Sequence, residues 1–163
     1  MGLTVVEEAK ERGGLRPMDP TRDLGAIADL ISGAFADELD ERGRAALREM
    51  RWMARLTPLV WWWSQADPSF RDAFNGFVWE EPSPGARGSR SSSRIVGTAN
   101  LNRAPGNRQR WIIGNVVVLD EYRGRGIGRR LVEAAIDEAL QIGAAGVVLQ
   151  VHRDNPRALG LYT

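Results

Sequence analysis

The sequence predicts a mixed α/β fold of the α+β kind, with helices covering both faces of one sheet, in the order β-α-α-β-β-β-α-β-α. Three observations predict it. Apolar residues recur at helical spacing in three stretches, at 20–36, 39–56 and 128–142. Three strand-like runs follow one another between residues 74 and 119. The last of them, ending in Val116-Val117-Val118-Leu119, passes through a glycine-rich turn into the third helical stretch.

Taken in order, residues 1–14 read as a flexible N-terminus and Leu15 to Met18 as a short first strand. Asp19-Pro20 supplies an N-cap and a proline at the first helical position. Leu24, Ile27, Ala28, Ile31 and Phe35 then mark the inner face of the first helix. The second helix places Leu47, Met50, Met53 or Ala54, and Leu56 or Thr57 inward, and Pro58 ends it. Phe74 to Glu81 and Ile95 to Arg103 are strands on either side of a Ser-, Gly-, Pro- and Arg-rich stretch, 82–94, expected to be a mobile hairpin loop. A shorter loop, Pro105 to Arg110, leads to Trp111 to Leu119 and completes an antiparallel meander. The third helix, Gly128 to Ile142, turns Leu131, Val132, Ala135, Ile136, Ala139 and Leu140 inward, with Gly143 as its cap. Gly146 to Val151 reads as a buried strand, and Asn155-Pro156 starts a last helix that Thr163 cuts short after barely two turns.

At 163 residues the chain fits one domain, 1–163, large enough to bury its own core. With no cysteine, disulfides and thiolate metal sites are excluded, and no metal site is expected. Met1 to Lys10 carries Glu7, Glu8 and Lys10 and no apolar core, unlike a signal peptide, and Leu59 to Trp63 is too short to cross a bilayer. A cytoplasmic protein with no membrane partner is expected. Net charge is +1, which argues against bulk nucleic-acid binding. Its distribution is uneven: residues 1–81 hold ten Lys/Arg against fifteen Asp/Glu, residues 82–163 twelve against six. The basic half suggests an anionic ligand there.

The chemistry concentrates in Arg123-Gly124-Arg125-Gly126-Ile127-Gly128. Glycines let backbone approach a ligand, the first-turn N–H groups point outward, and the helix dipole favours an anion. Arg123, Arg125 and Arg129 add charged donors. Elementary physics reads this as a phosphate cradle. A P-loop would need Lys followed by Ser or Thr where Arg129-Arg130 stands. A dinucleotide fold would place its third glycine one residue later and an acid at the end of the next strand, and neither is present.

The run is similar to the acetyl-coenzyme A signature of the GNAT superfamily, Arg/Gln-x-x-Gly-x-Gly/Ala after a Val-rich strand. A second family motif follows in Asn155-Pro156-Arg157-Ala158 and Leu161-Tyr162, and the resemblance covers residues 15–163. It implies an acetyl-coenzyme A-dependent N-acyltransferase in which an amine attacks the thioester directly. The backbone of Val116, Val117 and Val118 would pair with the pantetheine arm and polarise the thioester carbonyl. Gly124 to Arg129, with Arg125, Gly126, Ile127 and Gly128 between, would hold the pyrophosphate together with Arg123. Asn155 would contact the cofactor, and Tyr162 would be the general acid.

The resemblance implies no single base. Where some branches carry a glutamate five residues before the Asn equivalent, this chain has Gln150. His152, Glu80 and Glu81 are the remaining candidates. The acceptor, a small-molecule or peptide amine, would meet the aromatic-rich region 52–79, although most of those side chains suit a core. At least one of Trp61, Trp62 and Trp63 must face outward. The family continues into further strands beyond the Tyr helix, which appear missing here. A truncated chain or a second protomer supplying the edge, as in a homodimer, would each account for that. The alternative function is a non-catalytic acetyl-coenzyme A sensor or assembly module. A third, a nucleic-acid partner for Arg87, Arg90, Arg94, Arg103, Arg108 and Arg110 on loops, runs against the near-zero net charge.

Overall fold

The computed structural model describes residues 14–36, 39–56, 59, 62, 66, 74–82 and 93–149. Expectations for residues 1–13, for 83–92 of the 82–94 loop, and for Gln150, His152, Asn155 and Tyr162 lie outside them.

The described elements are β1 (Gly14–Pro17), α1 (Pro20–Ala34), α2 (Glu41–Met53), β2 (Gly76–Pro82), β3 (Ser93–Ala104), β4 (Asn107–Val118), α3 (Ile127–Gln141) and β5 (Gly146–Leu149). The expected order therefore holds through β5. One five-stranded sheet runs β1-β2-β3-β4-β5 in space. The first three pairings are antiparallel, and β4 pairs β5 in parallel, as a crossover through α3 requires.

Helix ends follow their local chemistry. The Asp19 side chain accepts from the Thr21 N–H at 2.9 Å ahead of Pro20, and that of Asp40 from the Gly43 N–H at 2.7 Å. At the end of α3 the Ala144 N–H reaches the Ala139 carbonyl and the Gly143 N–H that of Leu140, a Schellman closure around the left-handed Gly143.

The two sheet faces carry separate cores. α3 buries Ile127, Leu131, Val132, Ala135 and Ala139 against Val96, Ala99, Leu101, Trp111 and Ile113. α1 and α2 bury Ile27, Ala28, Leu30, Ile31 and Leu47 with Val78 and Val117 on the other face. Within α2 only Leu47 is fully buried, while Met50, Met53, Ala54 and Leu56 are half-buried. A Cβ at Gly97 would sit 3.1 Å from Leu131 Cδ1 and 3.2 Å from Ile127 Cγ2, so glycine lets α3 lie close on β3.

Beneath the start of α1, Asp23 is 1% exposed. Arg16 grips it with two bonds, Nη1 to Oδ2 at 2.6 Å and Nη2 to Oδ1 at 2.9 Å, and the Asp19 N–H donates to Oδ2 at 2.8 Å. Arg16 Nε also donates to Glu80 at 2.6 Å. Burial opposes the Arg16 charge, but its bonds to Asp23 and Glu80 prevail and raise its pKa. This cluster ties β1, α1 and β2 together.

Four expectations are corrected. Gly14 opens β1 rather than closing a flexible tail. The loop placed at Pro105 to Arg110 is a tight turn at Pro105-Gly106, with Gly106 at φ +74° and β4 starting at Asn107; proline then glycine is the pairing a type II turn demands. Arg94 and Arg103 lie in β3 and Arg108 and Arg110 in β4, not in loops. Arg94 pairs with Glu121, and Arg103 lies over the Trp111 ring. Finally, Ile136 and Leu140 on α3 are exposed, at 38% and 62%. Both sit well round the helix from the Leu131–Ala135–Ala139 line that meets the sheet.

Candidate functional site

The site is built at the C-terminal half of β4. Along the β3 edge Asn100 pairs with Gly114 and Thr98 with Val117, so Asn115 and Val116 together stand opposite Ala99. That is a β-bulge, and Asn115 occupies it at φ 49°, a left-handed conformation that asparagine tolerates better than most side chains. One extra residue inverts the strand's alternation. Trp111 and Ile113 face α3 before the bulge, whereas Val117 joins the α1 core after it. Along the other edge, pairing with β5 runs from Arg110↔Gly146 to Ile113↔Leu149 and, among the described residues, ends there. Sequence reasoning missed this bulge, although Gly114-Asn115 inside an otherwise β-branched run was the signal for it.

Beyond Val118 the chain is fastened before it turns. The Leu119 N–H bonds the Val96 carbonyl, and a 3-10 turn at Asp120–Tyr122 leads into the glycines. Gly124 and Gly126 both lie at φ +76°, and Gly126 is the N-cap of α3 with no side chain capping the first turn. Nothing stands within 4 Å of where a Cβ would project from either glycine. Gly128 instead faces inward, its Cβ position 3.6 Å from Val118 Cγ2. The first-turn N–H groups therefore open on unobstructed space at the positive end of a 15-residue helix, a setting that suits an anion.

The arginines of the turn make contacts of their own within the chain. Arg123 Nε donates to the Val118 carbonyl at 3.1 Å, and its Nη2 pairs with Asp120 at 2.8 Å. Arg125 donates to the Glu121 carbonyl at 3.1 Å and lies over the Tyr122 ring. Arg129 pairs with Glu133 at 2.9 Å, one turn on. Arg123 and Arg125 brace the turn and Arg129 the start of α3, and their exposure leaves all three able to swing outward at a cost below about 1 kcal/mol each.

The carboxylate candidates fare poorly as bases. Glu80 accepts from Arg16, Arg22 and Ser93. Burial by itself would raise its pKa, but hydrogen bonds from Arg16 and Ser93 and the charges of Arg16 and Arg22 outweigh it and hold the carboxyl below its usual range. Glu81 accepts from Trp79 Nε1 at 2.8 Å. Of the aromatic residues, Trp52 and Trp62 are each 60% exposed, whereas Phe77 and Trp79 pack on the α3 side. A groove of about 410 Å³ lined by Leu15, Trp79, Arg130 and Asp137 lies between β1 and α3, and shares no residue with the 114–129 segment. Among the described residues no group of acidic or histidine side chains is arranged to hold a metal, and no helix is long and apolar enough to cross a membrane.

Comparisons with known proteins agree with this geometry. A mycothiol acetyltransferase of Jonesia denitrificans is 40% identical over 74 residues, which cover 44% of this chain and 23% of that enzyme. The chain thus spans less than a quarter of the length of the first curated relatives it matches. Among solved structures, a possible acetyltransferase from Clostridium difficile 630 superposes with a TM-score of 0.59 at 17% identity, over 93% of this chain and 88% of that one. A GNAT family acetyltransferase from Brucella melitensis, solved in complex with acetyl-CoA, gives 0.55 at 19% identity, over 92% and 82%. At such identities these two report the fold. The family model described as "Acetyltransferase (GNAT) family" matches residues 39–163, well over half of the chain. With the bulged strand and the uncapped glycine turn on one sheet, and the family model matching 39–163, this chain belongs to the GNAT acetyltransferase family.

Proposed function

We propose that the chain is an acetyl-coenzyme A-dependent N-acetyltransferase that transfers the acetyl group directly to an amine. The observation that carries this reading is the uncapped start of α3, reached straight from the bulged strand β4 through Gly124 and Gly126, with nothing within 4 Å of where a Cβ would project from either glycine. The residues present suit the donor. The backbone N–H groups of Gly124 to Arg129 would hold its pyrophosphate at the open helix end. The edge of Val116–Val118 would align its pantetheine arm. Bound there, the donor supplies an activated acetyl thioester.

The chain's own groups do the rest. An N–H of Val116–Val118 donates to the oxygen on which negative charge develops. Asn155 is proposed to contact the donor, and Tyr162, with a reference pKa of about 10, would give its Oη proton to the thiolate that departs as the C–N bond forms and the C–S bond breaks. With Glu80 and Glu81 bound to protein donors, the attacking amine loses its proton to solvent. The acceptor is a small-molecule or peptide amine.

The test is thiol release from acetyl-coenzyme A across a panel of amines, with Tyr162→Phe alongside. A general acid contributes about 100-fold or more, so kcat should fall by at least that factor. Equal turnover would remove Tyr162 from the mechanism. Donor binding without turnover on any amine would favour the sensor or assembly module instead.

A further inference from the structure

Arg44, Arg48, Arg51 and Arg55 follow one another at i, i+4, i+7 and i+11 along α2 and the turn after it. That spacing puts all four guanidinium groups on one flank of the helix, in a line about 16 Å long. Leu47, the buried residue of α2, stands three residues from Arg44 and four from Arg51, so the row borders the packed face, with Arg51 half-buried on that border. Arg44, Arg48 and Arg55 are exposed.

Counter-charge is scarce. Arg51 pairs with Asp29 of α1 at 2.8 Å. Among the described residues no carboxylate meets Arg44, Arg48 or Arg55. Glu41 stands one turn before Arg44 without forming an ion pair, and Glu49 projects from the other side of the helix. Like charges one turn apart repel, so this row weakens its own helix. Trp52, 60% exposed, adds an uncovered aromatic surface beside it.

We infer that this flank of α2 is a docking surface for an acidic polypeptide segment. Planar guanidinium forks grip carboxylates with two parallel bonds, and their spacing along α2 matches carboxylates repeating every turn of a partner helix or every second residue of a strand. A nucleic acid fits less well. A polyphosphate strand extends beyond the stripe on both sides, and the half of the sequence that holds the stripe, 1–81, is net acidic, with fifteen acidic side chains against ten basic ones. A short acidic segment is confined to the stripe and escapes that repulsion.

The experiment measures fluorescence anisotropy of a fluorescein-labelled oligoglutamate, and separately of a labelled oligothymidylate, titrated with the full chain at low salt and at ~0.3 M salt. The comparison protein carries Arg44→Gln, Arg48→Gln and Arg55→Gln, leaving the Arg51–Asp29 pair intact. A thermal midpoint no lower than that of the wild type and unchanged acetyl-coenzyme A calorimetry establish that the variant is folded and its donor site undisturbed. Oligoglutamate should bind, weaken with salt, and lose about tenfold or more in affinity in the variant. No binding, or equal binding by both proteins, overturns the inference. Tighter binding of oligothymidylate through the same three arginines overturns it too, in favour of a nucleic-acid partner.

Discussion

At the scale of single residues, Gly126 and Glu80 carry opposite lessons. Gly126 lies at φ +76° with open space where a Cβ would be, so its worth is conformational. Gly126→Ala should cost about 1–2 kcal/mol in a denaturant melt, the penalty of a left-handed non-glycine residue. It should also weaken acetyl-coenzyme A binding by calorimetry, because the new methyl projects beside the first-turn N–H groups. Unchanged affinity would detach the glycine turn from the donor. Glu80, singled out as a base, is a structural anion. Its folded pKa is depressed, so between the folded and unfolded values the unfolded chain binds more protons. Its contribution to stability is therefore full above about pH 4.3, the unfolded carboxyl value, and is lost as pH falls through the lower folded one. Denaturant midpoints from pH 6 downward should fall more steeply for the wild type than for Glu80→Gln across that window.

At the scale of elements, helix amphipathicity was legible and its width was not. The period of α3 singled out six apolar residues, and four of them are buried. Ile136 and Leu140 belong to the apolar count but not to the contact, because one sheet face meets only the middle of the stripe. Replacing both by Gln should change stability by no more than about 0.5 kcal/mol each, whereas Leu131→Ala should cost about 2–5 kcal/mol. Equal losses at the two kinds of site would mean that the outer residues are covered after all. The Pro105-Gly106 turn and the Asn115 bulge escaped for a related reason. Both are single-residue decisions within strand-like sequence, where alternation is a weak guide to register.

For the molecule as a whole, two half-cores on opposite sheet faces are held in register by few polar links. Arg16, Asp23 and Glu80 form the largest of them, joining β1, α1 and β2. Arg16→Met should destabilise by about 3 kcal/mol, since it strands a buried carboxylate that Arg22 reaches only at 3.2 Å. Pairing that change with Asp23→Leu should restore much of the loss, as apolar replacements of buried ion pairs do. If the double variant is no better than the single one, the cluster has a role beyond neutralising its own charge. No sequence pattern pointed to it, because Arg16 is seven residues from Asp23 and 64 from Glu80.

What the sequence determined by itself was local. The order of elements through β5, the Asp19-Pro20 start of α1, the Gly143 cap and the glycine turn within Arg123–Gly128 all depend on dihedral preferences and hydrogen bonds within a few residues. The tertiary structure alone decided what depends on partners far along the chain. It tied Arg123 and Arg125 back onto the turn and Arg129 to Glu133 along α3, and it left the first turn of α3 with no side-chain cap. It also bound Glu80 to Arg16, and it set the bulge at Asn115 in β4. A bulge is a property of two paired strands together, and neither strand encodes it alone.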